Sequence, residues 1–472
     1  MKTTISLVAL LVGSLSMPTS HAAQEDVYGG FPVTVKGYSG DKADSTSYSG
    51  QVARHLLHNA LKKLAGRGSG EASDELKAQM MAYYAGDEDG RAILDPTTNG
   101  AFVIKQTTVA EISKGNNLSG KAYGGAVTGW PGAMTGGEVL EFMIERAAAA
   151  DGGFDVLTGY DYPQLISKFL MGAVFYNQAV DNYLDEGLAP DVKPNDQPYK
   201  EGAHYTGKEH VWDEAFGYFG APAHALTLTP EQAYGIAKAD EALMDAADYD
   251  NDGSVDLYRE MIYAHAYYAA DADKSDKTNY LHTITQAFLD GRKLITSAGG
   301  NALTDAQAST LQDHADAIKA NWERVIAEAT FKYAGEVYGD LEKLNVIVES
   351  GGDVSETFRD YAKHWGELKG FSLALQAGGK DLGETAVHLN RLIGYGPVLL
   401  GGGSAGRVAG IDANGDYVMG EAVSMGDYMV NMIKVQQLLA DNFDLKARKN
   451  DTTAQLKDVM ESLGEKKSAE ND

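Results

Sequence analysis

The sequence predicts an all-α protein made of two helical bundles related by internal duplication, with little or no β-structure. Apolar residues recur at steps of three and four over long stretches of the chain, which is the spacing of one face of a helix. A tryptophan-containing motif occurs once in each half of the chain. Alternating β-type patterns are confined to short pieces, residues 31–35 and 101–105. These features favour helical bundles with at most a small hairpin.

The first 23 residues are predicted to be a cleavable signal peptide. Lys2 supplies the positively charged start, an apolar stretch covers residues 5–15, and residues 20–23 provide a cleavage site rich in small residues. The apolar stretch is too short for a permanent membrane span. Residues 24–47 are rich in Gly, Ser, Asp and Thr and are predicted to form an extended N-terminal arm. The mature protein is therefore expected in the periplasm or outside the cell.

The chain carries 40 Lys and Arg against 67 Asp and Glu, a net charge of -27, and it has no cysteine. A surface of this charge repels phosphate backbones and anionic lipid, so nucleic acid and membrane surfaces are not expected as partners. It favours cations, although solubility alone is a sufficient reason for the bulk charge. Without cysteine there is no lipid-modified cysteine, disulfide or thiolate metal site. No stretch after the signal is apolar enough for direct membrane insertion.

The rest of the chain divides into two predicted helical halves. The first half, residues 48–260, ends in an acidic loop, and the second half covers residues 261–445. A charged and polar C-terminal tail, residues 446–472, follows them. Thr229 and Thr304 are predicted helix N-caps, because a hydroxyl can accept hydrogen bonds from the exposed amides and an acidic residue follows in the first turn.

One motif occurs in both halves: tryptophan, any residue, glutamate, any two residues, glycine and an aromatic residue. On a helix the tryptophan provides core area, and the glycine five residues later lets a neighbouring helix approach closely. The glutamate lies about 200° round the helix from the tryptophan, so it should face solvent or an internal polar site. Duplication explains the repetition. The copies are Trp212, Glu214, Gly217, Tyr218 and Trp365, Glu367, Gly370, Phe371.

A histidine precedes the tryptophan in each copy and makes the motif a candidate metal site. His210 and Glu214 are four residues apart and share one helical face, with Asp213 adjacent. An imidazole and a carboxylate in this arrangement can hold a divalent or ferric ion, or can simply hydrogen-bond to each other. His364 and Glu367 are the corresponding groups of the second copy. These five residues are the predicted ligands of iron or another transition metal such as zinc.

The acidic loop at the end of the first half follows the pattern of an EF-hand calcium loop. Carboxylates stand at positions one, three, five and nine, and Gly253 at position six permits a sharp turn. Position twelve holds Arg259, and the glutamate comes one residue late. Helices over residues 230–247 and 257–270 are predicted to flank the loop, and an acidic turn that caps two helices is the alternative to calcium. The predicted calcium ligands are Asp248, Asp250, Asp252, Asp256 and Glu260.

Three segments carry a resemblance to a known family. They are Tyr48-Ser49-Gly50-Gln51 at the start of a helix, GYDYPQLISKFLMGAVFYNQAVDNYL and, most specifically, GKEHVWDEAFGYFGAP. The chain resembles, from about residue 48 to about residue 443, the secreted bacterial family called domain of unknown function 4856, related to the imelysin-like iron-regulated proteins. The resemblance implies a two-bundle fold arising by duplication, export to the envelope and an association with iron acquisition.

The imelysin-like pattern is Gly-x-His-x-x-Glu, and this chain departs from it. Lys208 stands where the glycine would be, the third residue after His210 is Asp213, and Glu214 comes one residue later. This departure from the pattern affects which side chains are expected to bind the metal.

These observations predict a periplasmic metal-binding accessory protein of the imelysin-like type, with a structural calcium loop and no implied turnover. Its expected partners are a metal ion and an iron-uptake component of the outer membrane or periplasm. An envelope metallopeptidase or other hydrolase is one alternative, although the sequence contains no His-Glu-x-x-His zinc motif. A non-catalytic helical scaffold that docks partners is the other.

Overall fold

A computed structural model describes residues 26–94, 102–400 and 406–456. The protein is 55% helical, and its sheets in the described ranges are two short hairpins. The predicted all-α class is therefore confirmed. The predicted signal peptide, residues 1–23, lies outside the described residues, as does most of the predicted polar tail.

Five of the seven helices of the first predicted half, all except α1 and α7, begin at residues whose side chains accept a free amide of the first turn. Thr135, Thr206 and Thr229 each form a capping box with the acid or amide three residues later. The helices are α1 (Ser49–Ala65), α2 (Asp74–Tyr84), α3 (Gly136–Ala147), α4 (Tyr162–Leu170), α5 (Gly207–Phe219), α6 (Pro230–Ile236) and α7 (Met244–Ala247). A π-helical stretch, Met171–Tyr183, continues α4.

The second predicted half contains the longest helix of the described chain, which has 46 residues. Its N-cap is Thr304, whose hydroxyl accepts the amide of Gln307 at 3.2 Å. The predicted N-caps at Thr229 and Thr304 are both confirmed. No helix in the described ranges is both long and apolar enough to cross a membrane. The helices are α8 (Ala264–Asp273), α9 (Tyr280–Ser297), α10 (Asp305–Ser350), α11 (Ser355–Ala374), α12 (Gly383–Ile393) and α13 (Met425–Phe443).

Two antiparallel hairpins complete the regular structure. The first pairs β1 (Phe154–Asp155) with β2 (Tyr160–Asp161), and the second pairs β3 (Val408–Ile411) with β4 (Tyr417–Met419). The predicted β-type pieces do not become strands where they are described. Residues 31–35 make one bridge, Pro32 to Asp44, and residues 102–105 make one parallel bridge, Ile104 to Val255.

The prediction of one continuous helix on each side of the acidic loop, over residues 230–247 and 257–270, is wrong. Ala239 has a positive φ of 53°, and this left-handed residue separates α6 from α7. After the loop, the carbonyl of Arg259 accepts the amide of Ala223 at 2.7 Å, and the amide of Tyr263 donates to Gly220 at 2.8 Å. Because these backbone groups pair with a distant turn, the next helix starts only at α8.

Helices from the two predicted halves pack directly on one another. Helix α4 packs on α11, α5 packs on α1 and α9, and α10 packs on α8, α9, α11 and α13. Buried apolar side chains from both halves form one contiguous cluster. The division between residues 260 and 261 stays a prediction.

The two tryptophans of the repeated motif both lie in the core. Both side chains are fully buried. The indole N–H of Trp212 donates to the carbonyl of Phe288 at 2.7 Å, and that of Trp365 donates to the hydroxyl of Tyr428 at 2.8 Å. Each ring therefore fills the core and has its polar atom satisfied.

The two glycines of the motif allow a neighbouring helix to approach closely, as predicted. A Cβ atom at Gly217 would lie 2.8 Å from the Cβ of Gln51 on α1. A Cβ atom at Gly370 would lie 2.5 Å from the Cβ of Lys168 on α4. Each copy thus packs its glycine face against a helix of the first half, and duplication remains the interpretation of this similarity.

Gly370→Ala is expected to lower the free energy of unfolding by about 1–3 kcal/mol, because α4 and α11 must move apart to admit the methyl group. Gly339→Ala on α10 is the matched control, since a Cβ there meets no atom within 4 Å. The control should gain up to about 1 kcal/mol from helix propensity. Urea unfolding measures both variants, and equal stabilities for the two would contradict the close-approach role.

Candidate functional site

Three acidic side chains of the 248–260 loop converge on one point. A carboxylate oxygen from each of Asp248, Asp250 and Glu260 lies within 4.8 Å of the other two. In residues 26–94, 102–400 and 406–456, no other group of three or more His, Asp or Glu side chains has this spacing. Glu260 is buried and Asp250 is exposed, so the group opens to solvent on one side.

Backbone amides hold the loop in its curved shape. Asp248 accepts the amide of Asp252 at 3.0 Å and that of Gly253 at 2.8 Å. Asp250 also accepts the amide of Asp252, at 3.1 Å. Gly253 has a φ of 90°, a conformation that a side chain would strain. The glycine therefore makes the sharp turn that an EF-hand loop requires.

Glu260 reaches into the loop although it stands one residue later than the usual glutamate. Its Oε1 accepts the amide of Tyr249 at 2.8 Å, and its Oε2 accepts the amide of Asp256 at 2.7 Å. Burial raises the pKa of the Glu260 carboxyl. Arg259, at position twelve, turns away and pairs with Asp44 of the N-terminal arm at 3.1 Å.

The other two predicted calcium ligands have different partners. Asp252 accepts a hydrogen bond from the Nζ of Lys105 at 2.7 Å, and this bond lowers the pKa of Asp252 to about 2. Asp256 accepts the side-chain amide of Gln106 at 2.7 Å. The structure therefore groups three of the five predicted ligands and uses the other two to fix the loop to residues 105–106.

A backbone bridge also anchors the loop. The amide of Val255 donates to the carbonyl of Val103 at 2.7 Å, and the amide of Lys105 donates to the carbonyl of Val255 at 3.1 Å. Val255 is fully buried. Its apolar side chain at position eight of the loop is the signal in the sequence for this anchor.

His210 and Glu214 form a pair on α5. The Nε2 of His210 lies 3.4 Å from a carboxylate oxygen of Glu214. The imidazole packs against the rings of Tyr199 and Tyr205, with centroid distances of 3.7 and 5.1 Å. Its Nδ1 is buried and has no hydrogen-bond partner among the described residues. Burial lowers the pKa of His210 against the opposing charge of Glu214, so the ring is neutral at pH 7 and keeps a lone pair for a metal.

Asp213, the third predicted ligand on α5, contacts a different set of groups. Its Oδ1 accepts the hydroxyl of Tyr28 at 2.7 Å and the Nε of Arg292 at 2.9 Å. Its Oδ2 accepts the amide of Ser47 at 2.9 Å. The carboxylate is fully buried in these contacts and holds the N-terminal arm to α5 and α9.

His364 contacts two acids of α10 that the sequence analysis missed. Its Nδ1 lies 2.6 Å from Asp340, and its Nε2 lies 3.3 Å from Glu336. Burial opposes protonation, but the bond to Asp340 and the charge of Glu336 outweigh it and raise the pKa of His364. Both ring nitrogens therefore have partners. The four-residue spacing of the two acids on a predicted helix was the available signal.

Glu367 belongs to an internal polar site. It accepts the hydroxyl of Tyr333 at 3.0 Å and lies 3.4 Å from the Nζ of Lys168. Together with His364 it lines a cavity of about 640 Å³ where α1, α4, α10 and α11 meet. As expected, this glutamate faces a polar site on a different side of the helix from the tryptophan. That site lies inside the protein.

The two copies of the motif do not meet at one metal site in the described part of the chain. The residues that line the cavity do not include those of the first copy, because α5 packs on α1 and α9 while α11 packs on α4 and α10. The predicted ligands of the second copy, His364 and Glu367, each contact other side chains of the protein. The predicted ligands on α5 that lie apart from the cavity are His210, Asp213 and Glu214.

Comparison with known proteins identifies the family and nothing beyond it. The sequence matches the family described as Domain of unknown function (DUF4856) over residues 98–386, which is more than half of the chain. The matched segment includes α5, the acidic loop and α11 up to the start of α12. No curated protein and no solved structure matches. The chain therefore belongs to the DUF4856 family.

Proposed function

We propose that this protein is an exported, non-catalytic metal-binding accessory protein whose fold is stabilised by one calcium ion in the 248–260 loop. The main support for a calcium site is that Asp248, Asp250 and Glu260 converge within 4.8 Å. Three carboxylates at this distance repel one another, and a cation between them would relieve that repulsion beyond what the backbone amides of the loop do. Calcium takes roughly six to eight oxygen ligands, and backbone carbonyls and water can supply the remainder.

Calcium in this loop would hold together segments that are distant in sequence. The loop is bonded to residues 103–106, and Arg259 connects it to the N-terminal arm through Asp44. Residues 259–263 are bonded to the turn at 220–223, directly after α5. An ion that fixes the loop would therefore also fix the end of the helix that carries His210 and Glu214.

Calcium is expected to raise the melting temperature of the dialysed protein, because the ion binds the folded loop in preference to the unfolded chain. At a calcium concentration 100 times the Kd, the gain in the free energy of unfolding is about 2.7 kcal/mol. Asp250→Asn removes an exposed ligand and should lose most of this gain. Thermal melts with calcium and with a chelator measure the effect.

Asp412→Asn is the matched control for this experiment. Asp412 is an exposed acid that accepts the amides of Asn414 and Asp416 in the turn between β3 and β4, so its replacement removes the same charge from a similar turn. Its melting temperature should respond to calcium as the wild type does. A wild-type melting temperature that is insensitive to both calcium and chelator would remove calcium from the proposal.

The affinity for calcium should fall as the pH is lowered. Burial raises the pKa of Glu260, so protons compete with the ion for this carboxylate below the raised pKa and are absent above it. Calorimetric titration with calcium at neutral pH and at about pH 5 measures the difference. Glu260→Gln should bind calcium more weakly and with a smaller pH dependence. Equal wild-type affinities at the two pH values would argue against Glu260 as a ligand.

The pair His210 and Glu214 is the second cation site that we propose, with iron or zinc as the ion. Its support is a neutral, buried imidazole whose Nε2 lies 3.4 Å from a carboxylate and whose Nδ1 has no partner among the described residues. The resemblance to imelysin-like proteins makes iron the first candidate. On this proposal, the partner is an iron-uptake component of the outer membrane or periplasm.

The double variant His210→Ala with Glu214→Ala should lose one equivalent of tightly bound transition metal. His364→Ala is the control, because both nitrogens of that ring already have partners, and it should bind as the wild type does. Elemental analysis after dialysis against ferrous iron or zinc, with calcium present throughout, measures the stoichiometry. Unchanged stoichiometry in the double variant would exclude this site.

A further inference from the structure

The cavity that His364 and Glu367 line is basic. It has a volume of about 640 Å³ and lies between α1, α4, α10 and α11, with the start of α8 on one side. Two glutamates line it, Glu336 and Glu367. Six lysines line it as well: Lys62, Lys63, Lys168, Lys238, Lys332 and Lys363.

This excess of positive charge opposes the charge of the whole chain, which is -27. General solubility therefore does not account for it, because lysines placed at random on an acidic protein would lie among acids. The gathering of lysines from α1, α4, α10 and α11 into one concave site is a local property of the cavity. Cavities lined by one sign of charge concentrate ligands of the other sign.

Lys168 is the most buried of these lysines, with 4% of its side chain exposed. Its one acidic partner in the described chain is Glu367, at 3.4 Å. Burial and the neighbouring ammonium group of Lys62 lower the pKa of Lys168 to about 7. Two ammonium groups side by side in a partly desolvated site repel each other, and an anion between them would relieve that repulsion.

The acids of the cavity are already engaged. Glu367 is shared between Lys168 and the hydroxyl of Tyr333, and Glu336 lies 3.3 Å from His364. Lys332 pairs with Asp271 at 2.9 Å, whereas Lys62 and Lys363 form no close ion pair in the described part of the chain and act on Glu367 only at longer range. The cavity therefore keeps positive charge at Lys62 and Lys363 that no acid of the described chain balances at close range.

Aromatic rings form the remaining wall. Tyr234 and Tyr267 are stacked with a centroid distance of 5.0 Å, and Tyr268 and Tyr333 also line the cavity. The volume falls in the range of small-molecule sites and exceeds the size of one inorganic phosphate. A ligand of this site would therefore meet tyrosine side chains as well as charged groups.

We propose that this cavity binds a small organic anion with two or more carboxylate or phosphate groups. Its charges would lie against Lys62, Lys168 and Lys363, and its body would contact the tyrosine rings. This binding site goes beyond the proposed cation sites and does not depend on them.

Isothermal titration calorimetry of the full chain at low ionic strength tests the proposal, with citrate as the polycarboxylate probe and fructose 1,6-bisphosphate as the phosphate probe. At least one probe is expected to bind with one site per chain, and the stronger of the two identifies the anionic group. Lys62→Gln and Lys363→Gln should each weaken that binding about tenfold, because each removes one unpaired charge. Both side chains are partly exposed, so the fold should tolerate the changes.

Lys319→Gln is the matched control, since this partly exposed lysine lies about 20 Å along α10 from Lys332 and pairs with Asp316. It should bind the probe as the wild type does. The proposal is overturned if neither probe binds the wild type at millimolar concentration. It is also overturned if the control loses as much affinity as Lys62→Gln, because the attraction would then be diffuse.

Discussion

The buried guanidinium of Arg292 is the contact on which the arrangement of the N-terminal arm, α5 and α9 depends. It donates to Asp213 at 2.9 Å and to Glu209 at 3.1 Å on α5, and to the hydroxyl of Ser45 in the arm at 2.7 Å. Removing one member of such a buried cluster costs about 3–5 kcal/mol, because the remaining charge is left without a partner or water. The arm was predicted as an extended segment; its bonds through Tyr28, Ser45 and Ser47 fix it to α5 and α9, while residues 39–43 are exposed.

The same cluster decides which acids of α5 are available to a metal. Because Asp213 is bound to Arg292, the carboxylate beside His210 is Glu214 alone. Residues three and four apart on a helix are neighbours, so spacing alone could not separate Asp213 from Glu214. What separates them is an arginine 79 residues later in the chain. A sequence pattern contains the geometry of its own helix but not the identity of the side chains that pack against it.

Local sequence signals were sufficient to predict much of the fold. Thr229 and Thr304 identified helix starts, because a cap needs only the amides of the next turn. The loop pattern identified the carboxylates that converge, including the late Glu260. The break after α6, the backbone bonds that delay α8 and the basic cavity could not be predicted, because they depend on contacts between distant segments. Lys62 and Lys363, for example, come from opposite halves of the sequence and meet only in the folded chain.

An acidic protein can keep a basic cavity because its nearby carboxylates are already used. The stretch between the two candidate sites shows how: Glu260 belongs to the loop, whereas Ile262 and Tyr263 line the cavity. Glu260 accepts backbone amides of the loop, and the hydroxyl of Tyr263 donates to the carbonyl of Leu257 at 2.8 Å. The Glu260 carboxylate is therefore bonded to amides of the loop, although it stands only two residues before Ile262, which lines the cavity. Negative charge is retained on one side of this stretch and positive charge on the other, which is the arrangement that the two proposed sites, one for a cation and one for an anion, require.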